Sequence, residues 1–157
     1  MNTNEYDVTV IKVVDGDTVD VDIDLGFGIT LRDERVRIMG IDTPESRTSD
    51  KVEDLFGEAA KTRVKELMSE GAKLITTEDK HGEDMKGKFG RILGDFILPS
   101  GKTLTETLIE ENHAVHYQGQ SKDDIRSQHL HNREILLERG TVSIEDYENA
   151  VKLMEEK

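Results

Sequence analysis

The sequence has no cysteine, no tryptophan, two prolines and few aromatic side chains, 4% of its 157 residues. Without cysteine there is no disulfide framework and no thiolate metal site. That suits a reducing compartment. So few rings leave little material for a surface that binds strands by stacking bases on aromatic platforms. Long apolar runs are missing too. No stretch of roughly eighteen apolar residues is present to cross a membrane, and no apolar segment of an export signal follows the polar, acidic start. Action inside a cell is therefore expected, in the cytoplasm or in a host cell if the source is viral. Positive charge is also short. The chain carries 21 Lys and Arg against 34 Asp and Glu, a formal net charge of −13. Nucleic-acid backbones are usually held by Lys and Arg that release counterions. Such a ligand would here need a local basic pocket and a bound cation.

The length suits one domain with a single core. Apolar density suggests a first strand over Tyr6 to Val14. Val19, Val21, Ile23 and Leu25 alternate with Asp20, Asp22 and Asp24, the period of a half-buried strand with its acids on a solvated face. Gly26-Phe27-Gly28 reads as a hairpin turn. A returning strand from about Ile29 to Ile41 puts Arg37 opposite the apolar Val36 and Ile38. Val52, Leu55, Phe56, Ala59, Ala60, Val64, Leu67 and Met68 follow helical spacing, with Gly71 suited to the C′ position. Lys73 to Thr77 reads as a strand, Glu78 to Gly90 as a polar loop and Arg91 to Leu98 as a further strand. Thr103 with Glu106 forms a capping box before a short helix. A short strand over His113 to Tyr117, a helix from Ile125 to Arg139 closed by Gly140, and a last helix from Ser143 complete the chain. The expected fold is mainly β with helices: a five-stranded OB-fold barrel decorated by three or four α-helices. Residues 1–140 would form that domain, and residues 141–157 a helical extension whose apolar stripe could dock on the barrel or on a partner.

Acids and arginines recur in an order that suits cleavage of a phosphodiester. They are Asp15 and Asp17 in Asp-Gly-Asp-Thr, Arg37, Asp42 and Glu45 in Asp-Thr-Pro-Glu, and Arg91 in Lys-Phe-Gly-Arg. Carboxylate and carbonyl oxygens hold hard divalent cations such as calcium or magnesium, so Asp17, Asp42 and the Thr43 carbonyl are the candidate metal ligands. Glu45, beyond Pro44, can orient or deprotonate an attacking water. Arg37 and Arg91 can each pair two hydrogen bonds with phosphate oxygens. Singly, each piece is also ordinary: Asp-Gly is turn chemistry, Asp-Thr-Pro-Glu a strand exit, and a lone arginine a surface residue. The histidines make no zinc pattern, and His129 fits the inner face of its helix as a hydrogen-bonded, partly buried residue.

Taken jointly, Val-Val-Asp-Gly-Asp-Thr, Val-Arg-Ile-Met-Gly-Ile-Asp-Thr-Pro-Glu and Lys-Phe-Gly-Arg resemble the staphylococcal nuclease family over about Val8 to Leu136. The resemblance implies calcium-dependent hydrolysis of DNA and RNA as an endonuclease, with 3′-phosphate ends. It implies calcium ligation by Asp17, Asp42 and Thr43, a general-base position at Glu45, and phosphate clamping by Arg37 and Arg91. Tyr117, Lys88 and Phe89 fall at nucleotide-contacting positions. Phe89 lacks the hydroxyl of the tyrosine usual there, and Gly119 stands where a second pocket tyrosine would be. The expected partner is a nucleic-acid substrate, with no membrane, and the expected state a monomer. The alternative is a catalytically silent OB-fold module that binds nucleic acid or a protein.

Overall fold

A computed structural model of the chain describes residues 2–78, 81, 84, 86 and 90–156. Seven strands and four helices follow in the order β1 (Thr3–Asp15), β2 (Thr18–Gly26), β3 (Ile29–Ile38), β4 (Ile41–Asp42), α1 (Lys51–Met68), β5 (Lys73–Thr77), β6 (Ile92–Ile97), α2 (Leu104–Glu110), β7 (Val115–His116), α3 (Lys122–Arg139) and α4 (Ile144–Glu155). Five strands close into a barrel in the order β1-β2-β3-β6-β5, and β4 pairs with β7 as a separate ribbon. All barrel pairings are antiparallel except β3 with β6, where Val36 faces Ile92 and Arg37 faces Leu93. This is the five-stranded, helix-decorated barrel expected from the sequence.

The alternation read in β2 and β3 builds the core. Val19, Val21, Ile23, Val36 and Ile38 point inward and pack with Leu74 and Phe96 from β5 and β6. Burial of such aliphatic side chains stabilises by roughly 1.5–3 kcal/mol each. The solvated acid face needs correction at its base. Asp20 is buried, and Arg35 from the facing strand donates to its carboxylate from Nε at 2.8 Å and from Nη2 at 3.1 Å. A buried carboxylate is tolerable only with such pairing. At the other end of the hairpin, Leu25 is exposed and leaves the apolar face.

Three further boundaries differ. The returning strand breaks after Ile38, because Gly40 takes a positive φ of 78° and starts β4 afresh. Helix α1 ends at Met68 with Ser69 as its C-cap, so Gly71 lies one position beyond C′, and its N-terminus is capped by Asp50, whose carboxylate accepts from the Val52 and Glu53 amides at 3.1 Å. The strand expected over His113 to Tyr117 contracts to two residues.

A second apolar cluster lies outside the barrel. Phe56 of α1, Leu136 of α3 and Val142 are buried together, with Tyr147 of α4 packed edge-on to Phe56 at 6.3 Å between ring centres. Helix α4 is therefore docked on α1 within the chain through Tyr147, while Ile144 of its apolar stripe stays exposed. Gly140, with φ of 76°, ends α3 and turns the chain back, and the Thr141 amide bonds the Leu136 carbonyl at 3.0 Å. That hydrogen-bonded left-handed ending fits a Schellman-type cap. Among the described residues no helix is long and apolar enough to cross a membrane.

Candidate active site

The Asp15-Gly16-Asp17 turn joins β1 to β2, and the segment after β4 runs from Asp42 into α1. Two glycines let these pieces close on one another. A Cβ on Gly16 would come within 3.0 Å of the Ala60 Cβ and 3.1 Å of the Thr43 Cβ. A Cβ on Gly57, in the middle of α1, would lie 2.3 Å from the Glu45 carbonyl oxygen, a distance no packing permits. In the resulting arrangement the Asp17 carboxylate accepts from the Thr43 amide at 3.4 Å and from the Thr18 hydroxyl at 3.0 Å. Asp15 accepts from the hydroxyl of Ser46. The acids of the turn are thus tied to the loop that carries Asp42, Thr43 and Glu45.

Arg37 lies across this junction. Its Nη1 donates to the Ile38 carbonyl at 2.8 Å and its Nη2 to the Ile41 carbonyl at 3.1 Å. Its Nη2 is also 3.5 Å from the Asp17 carboxylate. A guanidinium has five N–H donors, so two strong bonds leave others for an anion. The Ile38 amide bonds the Asp17 carbonyl at 2.8 Å, which fixes the turn against β3 from the backbone side.

Asp42 has a partner that sequence reading did not assign to it. His129 of α3 places Nε2 2.7 Å from Asp42 Oδ2, with the imidazole only 12% exposed. An ionised carboxylate only accepts, so His129 donates here. Glu45 is exposed, and its carboxylate adds to the effect of burial on Glu53. Burial first, and then the Glu45 and Asp50 charges, push the Glu53 carboxyl above its ordinary value. Asp42, Glu53, Tyr117 and His129 line one cleft of about 340 Å³ between α3, the end of β4 and the start of α1. Tyr117 is half-exposed at 51%, and its amide is held by the Gly40 carbonyl at 2.8 Å.

Arg91 directly precedes β6 and lines a hollow of about 670 Å³ with Asp15, Thr18, Arg35 and Arg47. Asp15 and Thr18 flank Asp17 in the sequence, so this hollow adjoins the turn that Arg37 approaches. Lys88 and Phe89 lie outside the described residues.

Residues 35–137 match the family model described as staphylococcal nuclease homologue. The chain belongs to that family. The matched interval includes Arg37, Asp42, Thr43, Glu45, Arg91, Tyr117 and His129, whereas Asp17 precedes it. The chain is 37% identical over 105 residues to the SPbeta prophage-derived endonuclease YokF of Bacillus subtilis (strain 168), covering 67% of this chain and 32% of that protein. It is 36% identical over 104 residues to the endonuclease YncB of the same organism, covering 66% of this chain and 44% of the relative. With the endonuclease YhcR it shares 30% identity over 118 residues, 72% of this chain and 9% of the relative. The chain thus spans less than half the length of these curated relatives.

Metal dependence is general in the staphylococcal nuclease family. The donors here fit a hard dication in kind. Asp17, whose carboxylate meets the Thr43 amide, and Asp42, next to Thr43 in the sequence, offer carboxylates, and the Thr43 carbonyl could add a further oxygen. The Thr43 hydroxyl is buried with no partner among the described residues. Among the described residues no three His, Cys, Asp or Glu side chains form a closed cage. Two carboxylates and a carbonyl would leave the remaining positions to water and substrate, as magnesium and calcium sites often do.

His129 and Gly57 were not recognised as parts of this site from sequence. His129 shares a helical stripe with Lys122, Arg126 and Arg133, but its pairing spans 87 residues. Gly57 breaks no helical pattern, and only the nearby loop explains it.

Proposed function

We propose that this chain is a calcium-dependent nuclease that hydrolyses DNA, and RNA as well, leaving 3′-phosphate ends. The reading rests chiefly on the convergence of the Asp17 turn and the Asp42–Glu45 loop with Arg37 lying across their junction. Family membership and the endonuclease names of the relatives support it. A phosphodiester resists hydrolysis because the nucleophile and the phosphate are both electron-rich, so a catalyst must supply positive charge and take up a proton. Bound by Asp17, Asp42 and the Thr43 carbonyl, calcium would supply charge to the phosphate oxygens and acidify water.

The chain's own groups carry the rest. The Glu45 carboxylate accepts the proton of water as its oxygen bonds to phosphorus. The bond from phosphorus to the 5′-oxygen breaks, and that oxygen takes a proton from solvent. Arg37 and Arg91 donate to the phosphate oxygens as their charge rises, a contribution worth roughly 10³–10⁵ in rate for arginines in analogous phosphoryl transfers. Tyr117 offers a ring to a base at the mouth of the cleft, and Lys88 and Phe89 complete the nucleotide contacts. Incubation with denatured DNA, with calcium or with excess chelator, tests the proposal. Acid-soluble fragments ending in 3′-phosphate should form with calcium alone. Equal release in chelator would exclude the mechanism.

A second reading has its own support. His129 occupies one oxygen of Asp42, and Arg37 holds two backbone carbonyls. Both bonds suit a catalytically silent module that binds nucleic acid or a protein. Such a module would bind the same DNA and release no fragments at any calcium concentration.

A further inference from the structure

The cleft beside Asp42 has walls of opposite charge. Asp42 and Glu53 lie on one side, and Lys122, Arg126 and Arg133 line the α3 side. The three cations and His129 recur at steps of four, three and four residues, so they share one face of the helix. From Lys122 to Arg133 that face extends for about 16 Å.

Several observations set this face apart from an ordinary solvated helix surface. In a chain of net charge −13, anions are available to pair with cations. Lys122 and Arg126, like several other cations of the chain, form no salt bridge among the described residues, so their charges are open to a ligand. Lys122 is the first residue of α3, at the positive end of the helix dipole, where a cation is disfavoured. Arg133 is held in place by Phe56, with its guanidinium carbon 5.3 Å from the ring centre, and its buried Nε has no hydrogen-bond partner among the described residues. The half-exposed Tyr117 ring lines the same cleft.

We propose that Lys122, Arg126 and Arg133 form a subsite for the phosphates of a single-stranded polynucleotide running along α3 past Tyr117. The proposal builds on the nuclease reading and adds a phosphate subsite on α3. A positive groove interleaved with an aromatic ring is the usual means of holding unpaired nucleotides. An unpaired base offers both of its faces to a ring, and a cleft of about 340 Å³ is too small to enclose a duplex. The acidic remainder of the surface repels the strand elsewhere, so its path would follow this stripe.

The test is fluorescence anisotropy with a labelled single strand of about a dozen nucleotides in excess chelator, where no cleavage occurs. The proteins are the wild type, Lys122→Ala/Arg126→Ala, and the charge-matched Lys12→Ala/Lys65→Ala, whose exposed lysines lie away from the cleft. The α3 pair should weaken binding by about tenfold or more. It should also make the plot of log affinity against log salt shallower by about 0.7 for each phosphate that is no longer neutralised. The control pair should keep both values near wild type, and a duplex of the same sequence should compete poorly. Unchanged affinity and slope in the α3 pair, an equal loss in the control pair, or equal competition by duplex would each overturn the proposal. Calcium-dependent cleavage by the wild type is scored separately. Its absence beside a specific binding loss would sink the nuclease reading and leave the subsite standing. Cleavage without a binding loss would do the reverse.

Discussion

At the junction of the Asp17 turn with the Asp42 loop, Asp17, Arg37 and Thr43 are fixed through the main chain. The Asp17 carbonyl takes the Ile38 amide, its carboxylate approaches the Thr43 amide, and Arg37 holds the Ile38 and Ile41 carbonyls. On the α3 side, Lys122 and Arg126 stand exposed, and His129 alone reaches across to Asp42. The junction groups are held by hydrogen bonds to the main chain at the edge of the barrel. The helix groups depend on how α3 sits, which the Phe56, Leu136 and Val142 cluster decides. Rigid placement suits groups that must meet a transition state, and a looser face suits contacts with a flexible strand. Changes at the junction should therefore strike turnover, and changes on the helix side should strike metal or strand binding.

The largest effect is expected at Arg37. Arg37→Ala should lower kcat on denatured DNA by roughly 10³-fold, equivalent to about 4 kcal/mol. Arg37→Lys should recover little, because an ammonium cannot reproduce the planar fork. Steady-state kinetics with circular dichroism as a folding control checks this, and near-wild-type turnover would remove Arg37 from the chemistry.

Gly57→Ala comes next. Its Cβ would strike the Glu45 carbonyl, so either α1 or the loop must move. Overpacking of this kind costs about 1–3 kcal/mol of stability. Because the displaced loop carries Asp42, Thr43 and Glu45, activity should fall more than the unfolding midpoint suggests. Activity falling only in proportion to the unfolded fraction would mean that the loop adapts.

His129→Gln tests the link between the two walls. Residues that orient a metal-ligating carboxylate typically contribute about 10–100-fold in metal affinity or activity. Calcium titration by calorimetry should show a loss in that range. Tighter calcium binding in the variant would show instead that His129 competes with the ion for Asp42.

The smallest effect concerns Glu111, away from the cleft. Arg63 donates to it from Nε at 2.6 Å and Nη2 at 2.9 Å. Chiefly through that bond, and against burial, Arg63 holds the Glu111 carboxyl below its ordinary value. A lowered folded-state pKa means stability that is present above the unfolded pKa, about 4.3, and lost as pH falls through the folded value. The pair is a third exposed on each side, so less than about 1 kcal/mol is involved. Urea midpoints of wild type and Glu111→Gln should differ at pH 6 and converge towards pH 3. A gap that widens in acid would reverse the sign.

Much of the barrel was legible because strand period and burial coincide. Val19, Val21, Val36 and Ile38 alternate in sequence and lie buried in the core. The motif residues were legible for a different reason: their order along the chain is that of the resembled family. Legibility failed where a residue's role depends on a distant backbone. Asp20 looked solvated until Arg35 came opposite it, and the Gly40 turn that divides the returning strand is set by its positive φ.

By itself the sequence determined the barrel, the helices and the inventory of acids and arginines, since apolar period and capping chemistry act over a few residues. Tertiary structure alone decided which groups meet. It set His129 on Asp42, laid Arg37 across the junction of the turn and the loop, and laid the basic face of α3 along the cleft. Those relations join residues tens of positions apart, and they arise only when closed strands and packed helices fix where each backbone lies.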